Sequence, residues 1–146
     1  VLLYSVTHPN RRDSLLGLLA LNRSHTPRTS GDPLELLPLT HVVYHILVSL
    51  TSEARHGYGI IKDVADRTGG RVEVEAGTLY AAIKRMTGDG IIEEVSAPLG
   101  TDARRRYYQV TEFGRAVAYA ESKRLEAMVE LAKDQGLLPG ARRAKA

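Results

Sequence analysis

Cysteine and tryptophan are absent from this sequence, and phenylalanine occurs once. Without cysteine there can be no disulfide, thiolate zinc site, iron–sulfur cluster or cysteine nucleophile. No apolar run approaches the roughly 18 residues of a membrane-spanning helix. Serine, histidine and aspartate all occur, but no nucleophile elbow, phosphate loop or pair of carboxylates at catalytic spacing does, so an enzyme is not expected. His41 and His45 stand at i, i+4, a spacing that can hold a metal, yet no carboxylate cluster completes a site. No metal and no cofactor are expected. What is present is ordinary: 146 residues, 43% hydrophobic and 25% charged, enough for one compact domain with an arm or tail. A net charge of +3 leans only slightly towards an anionic partner, so where the charges sit matters more than their sum.

The chain begins with Val1, as a processed or truncated chain would, or one with a non-ATG start written literally. Arg11 and Arg12 precede the apolar run Leu15 to Leu21, the order of a twin-arginine export signal. The run is short and no small-x-small cleavage site follows, so a short amphipathic helix or an unstructured leader is the expected state. Asn22 to Pro33 is rich in Ser, Thr, Pro, Gly and Asp and reads as a linker. Residues 1–34 are therefore expected to be a poorly ordered leader, with a domain over 35–111, a C-terminal helix over 112–138 and a basic tail over 139–146.

Leu39, Val42, Val43, Ile46, Leu47 and Leu50 repeat at helical period and predict a first helix from Glu35 to Ser52. A second is expected from Tyr58 to Thr68, stopped by Gly69 and Gly70. "RVEVE" alternates as a very short strand would. A third helix begins near Glu75 and ends near Gly88 to Gly90. "IIEEVSA" and "RRRYYQV", joined by "PLGTDA", predict a β-hairpin, and Thr111 is placed to cap a last helix from Glu112 to near Gln135. The expected fold is mainly α, an α+β winged helix-turn-helix with a three-helix core, a two-stranded wing and a long C-terminal helix.

The third helix, "EAGTLYAAIKRM", is asymmetric. At about 100° per residue, Leu79, Ile83 and Met86 share one face with Ala82 close by. The opposite face carries Gly77, Ala81, Lys84 and Gly88, flanked by Thr78, Arg85 and Tyr80. A DNA major groove is about 12 Å wide and a helix with side chains fills it, so small residues at the centre of the outward face let the backbone approach the bases. Lys84 and Arg85 can meet phosphates or guanine edges, Thr78 can bond a phosphate, and Tyr80 can lie against a sugar or thymine methyl. A solvated helix often shows such a face. The adjoining Arg104, Arg105 and Arg106 in the wing make the combination more specific, although in a strand one of them could instead pair with Glu93 or Glu94. Double-stranded DNA is the expected partner. The competing reading is a winged helix that serves only protein–protein interaction.

From His56 onward the chain resembles the PadR family of transcriptional regulators, in "HGYGIIKDV" (56–64), "GTLYAAIKRM" (77–86), "DGIIEE" (89–94) and "RRRYYQVTEFG" (104–114). The single C-terminal helix resembles the smaller subfamily. The resemblance implies a cytoplasmic, dimeric DNA-binding regulator, usually a repressor on a palindromic operator. It implies helix contacts from Thr78, Tyr80, Lys84 and Arg85 and wing contacts from Arg104 to Arg106. It also places Tyr58 in the "HGY" motif, where a structural role is expected. Family members answer to several kinds of small molecule, and nothing here says whether an effector exists or which one. The absence of tryptophan gives no support to an indole-sandwiched ligand. Independently, Leu125, Met128, Val129 and Ala132 repeat at i, i+3, i+4 and i+7 on a helix too long for the domain to cover, which points to a homodimer seam, the alternative being that the seam folds back on the first helix of its own chain.

Overall fold

The computed structural model describes residues 31–140, so the expected leader up to residue 30 and most of the basic tail lie outside the described residues. A 3-10 turn, Pro33–Leu36, is capped by Asp32. It is followed by α1 (His41–Ser49), β1 (Arg55–His56), α2 (Gly57–Thr68), α3 (Ala76–Gly88), β2 (Ile92–Val95), β3 (Tyr107–Val110) and α4 (Glu112–Asp134). The strands form one antiparallel sheet in the order β1-β3-β2. This is the expected α+β winged helix-turn-helix, with α2 and α3 as its helix pair and β2–β3 as its wing. Among the described residues no helix is long and apolar enough to cross a membrane.

The predicted first helix is divided. Pro38 has no amide hydrogen to give a helix and disfavours helical geometry at Leu37, which is extended with ψ 151°. The helix restarts where Thr40 accepts a hydrogen bond from the Val43 amide at 3.3 Å. The apolar stripe survives the break: Ile46, Leu47 and Leu50 are buried, and Leu39, Val42 and Val43 pack against the core. "RVEVE" is not a strand. Its alternation is real, with Val74 buried and Glu73 and Glu75 exposed, but no strand pairs with it. The third strand instead comes from Arg55 and His56, opposite Tyr108 and Tyr107.

The last helix starts as expected, with the Thr111 side chain accepting from the Gly114 amide at 3.0 Å. Its first half packs on α1 and the 3-10 turn through Val117 and Ala118, and Tyr44 and Ser122 share a hydrogen bond of 3.0 Å. Glu121 is only 2% exposed here. Arg124 donates to both its carboxylate oxygens at 2.7 and 2.8 Å. Arg124 above all, outweighing the opposing effect of burial, holds the Glu121 carboxyl below its ordinary value of 4.5.

A carboxyl with a depressed folded pKa contributes stability above its unfolded value, and that stability is lost as pH falls through the folded value. Glu121→Ala should cost about 2 kcal/mol near neutral pH, below the range for a fully buried pair because Arg124 remains partly exposed. In thermal denaturation the gap between wild type and variant should narrow as the pH falls below about 4.5. A gap of constant size down to strongly acidic pH would assign the loss to packing instead.

Candidate nucleic-acid interface

Helix α3 divides as its sequence pattern requires. Leu79, Ile83 and Met86 are buried, while Gly77, Thr78, Tyr80, Ala81, Lys84 and Arg85 face solvent. Glycine and alanine at 77 and 81 leave the middle of the outward face close to the bare backbone. Among the described residues Lys84 has no acidic partner, and Arg85 is 3.9 Å from Asp89, a loose exposed pair. Thr78 lies in the first turn, where backbone amides lack partners within the helix.

The wing differs from expectation in one respect. Its ladder is confined to Ile92–Val95 and Tyr107–Val110, so Arg104, Arg105 and Arg106 precede the strand and do not alternate across it. All three are exposed. Arg104 donates to Asp102 at 3.1 Å, and chiefly by this bond holds the Asp102 carboxyl below the usual carboxylate range. Arg106 is 3.8 Å from Glu94, the pairing that the sequence left open. Glu93 instead accepts from Gln109 at 2.7 Å. The wing therefore carries its own acidic neighbours. Exposed pairs of this kind are worth at most about 1 kcal/mol, so an incoming phosphate can replace them.

Between the start of α2, α3 and the wing lies an open cleft of about 460 Å³, lined by His56, Gly57, Tyr58, Tyr80, Tyr108 and the three wing arginines. Tyr58 is 66% exposed at this cleft and is no core residue. Its ring lies parallel to that of His56, with centroids 6.5 Å apart. A Cβ at Gly57 would come within 2.8 Å of the Tyr80 hydroxyl, the far end of an exposed side chain that can shift. His56 accepts from the Gly59 amide through Nδ1 at 3.1 Å, which caps α2. Burial, and then the nearby Arg105, lower its pKa from 6.5. Nothing in the local sequence marks Tyr58 as exposed, since its surroundings come from three separate segments.

The other predicted residues are elsewhere. Leu125 and Ala132 are half-buried on α4, while Met128 and Val129 are exposed at 55% and 42%, next to exposed Leu131, Leu137 and Leu138. His41 and His45 lie edge to face at 4.5 Å, and no third potential ligand joins them among the described residues.

Residues 46–120 match the sequence model of the PadR-like family of transcriptional regulators. An uncharacterised protein of Lysinibacillus sphaericus is 29% identical over 76 residues, 52% of this chain and 70% of that protein. A transcriptional regulator from Clostridium thermocellum is similar in structure, with a TM-score of 0.57 at 25% identity over 72% of this chain and 95% of its own. A PadR family transcription regulator from Clostridium difficile shares the fold, with a TM-score of 0.54 at 24% identity over 67% of this chain and 99% of its own.

Proposed function

The chain belongs to the PadR-like family of transcriptional regulators, the match spanning just over half of it, and we propose that it acts as a homodimeric repressor binding a palindromic DNA operator. The observation that carries this reading is the bare outward face of α3 beside the wing arginines. Thr78, Tyr80, Lys84 and Arg85 are the helix contacts, and Arg104, Arg105 and Arg106 supply the wing contacts. Lys84 and Arg85 are the residues placed to discriminate bases, whereas the wing neutralises phosphate without reading sequence.

The second half of α4 serves as the dimer seam, through Leu125, Met128, Val129 and Ala132 and the exposed Leu131 beside them. Two-fold symmetry then sets two recognition helices about one DNA turn, roughly 34 Å, apart. The domain over 35–111 binds DNA and the helix over 112–138 pairs the subunits. A small-molecule effector would act by changing the angle between the two recognition helices. The test is to sequence genomic fragments retained by the protein. An inverted repeat with half-sites about one turn apart is expected, and fragments without any shared repeat would count against an operator of this form.

A further inference from the structure

Resting on that reading, we propose that the cleft between α2, α3 and the wing holds a backbone phosphate of the bound duplex, with Tyr58 donating its hydroxyl to it and Arg105 supplying the charge. An exposed tyrosine at the mouth of an arginine-lined cleft is the first observation. Its ring is set parallel to His56, and its hydroxyl has no partner among the described residues. A tyrosine hydroxyl offers one donor, and a phosphate oxygen is a pure acceptor.

The second observation concerns Arg105. Its Nη1 is 3.0 Å from His56 Nε2 and 3.4 Å from Nδ1. Neutral imidazole has a single lone pair in its plane, and the Gly59 amide already takes the one on Nδ1. The proton then sits on Nε2, which cannot accept from Arg105. Among the described residues the carboxylate nearest to Arg105, Asp102, is 3.9 Å away, beyond hydrogen-bond distance. Arg105 thus has guanidinium protons without a good acceptor at the cleft, whereas Arg104 spends its own on Asp102. A phosphate oxygen entering the cleft would satisfy Arg105 and Tyr58 together. The depressed pKa of His56 agrees with a neutral ring there.

The choice of a DNA phosphate over a free anion follows from continuity. Tyr80 belongs both to the cleft wall and to the outward face of α3, so a strand following that face passes the cleft.

The experiment measures binding of the full chain to a mixed-sequence duplex across a salt series, for wild type, Tyr58→Phe and Arg105→Ala. Tyr58→Phe should weaken binding about ten-fold for each subunit bound, the effect of one hydrogen bond to a charged group, and leave the salt slope unchanged because tyrosine is neutral. Arg105→Ala should weaken binding and reduce the slope by about 0.9 for each subunit bound. Inorganic phosphate should compete no better than chloride at equal ionic strength. If wild type binds and Tyr58→Phe matches it, the cleft site is overturned while the DNA reading stands. Specific competition by inorganic phosphate that Tyr58→Phe abolishes would make this a free-anion site and also overturn it. A wild type that does not bind the duplex even at low salt removes both.

Discussion

Replacing Gly114 with alanine should cost at least about 3 kcal/mol and lower the Tm by more than about 12 °C. Gly114 stands in the first turn of α4, where a Cβ would fall inside the contact distance of the Ile91 carbonyl oxygen and 2.8 Å from a Val110 methyl. That carbonyl cannot retreat, because it accepts the Thr111 amide at 3.1 Å. Thr111 in turn donates its hydroxyl to the Gly90 carbonyl at 2.6 Å. The severest clash is thus with the fixed backbone at Ile91, which no side-chain rotation can relieve. Alanine would otherwise favour the helix by about 1 kcal/mol, so a loss of stability isolates the steric effect. Thermal denaturation decides the matter; a variant as stable as wild type would show that α4 can shift away from the sheet at little cost.

The second large effect concerns the seam. Helix α4 has 23 residues, about 34 Å at 1.5 Å per residue, and the domain covers only its first half. Met128 and Leu131 are 55% and 61% exposed in the single chain. Aspartate at both positions therefore removes little from the folded subunit but would place charges in the middle of an apolar interface. Light scattering should find the double variant monomeric at micromolar concentration and the wild type dimeric. Losing the second half-site removes the gain from bivalent binding, so affinity for a two-site duplex should fall at least about 100-fold. A monomeric wild type, or a double variant that stays dimeric, would exclude this seam.

Local pattern carried much of the fold. The stripes on α1 and α2, the cap at Thr111 and the division of α3 into buried and bare faces all follow from residues within a few turns of one another. Pro38 was a legible signal too, outweighed by an apolar stripe that continues through it. The strand at Arg55 and His56 was not legible, because two residues become a strand only when β3 arrives beside them. "RVEVE" is the converse: its alternation buries Val74, yet no neighbour pairs with it. The candidate site divides in the same way. The outward residues of α3 could be assigned from a helical wheel. The exposure of Tyr58, the competition for the His56 lone pair and the burial of Glu121 depend on segments distant in sequence, and nothing in their own neighbourhoods announces them.

The claim that α3 and the wing bind DNA is tested most directly by the salt dependence of duplex affinity. Wild type and the triple variant Arg104→Ala, Arg105→Ala, Arg106→Ala should be compared on the same duplex. Each phosphate contact contributes about −0.9 to the slope of log affinity against log salt, so three lost contacts per subunit should flatten the slope by about 2.7 or more. The variant should also bind every sequence more weakly while folding like wild type, because all three side chains are exposed. Equal slopes and equal affinities in the two proteins would contradict the wing's part in binding, and no salt-dependent binding by wild type would contradict the account as a whole.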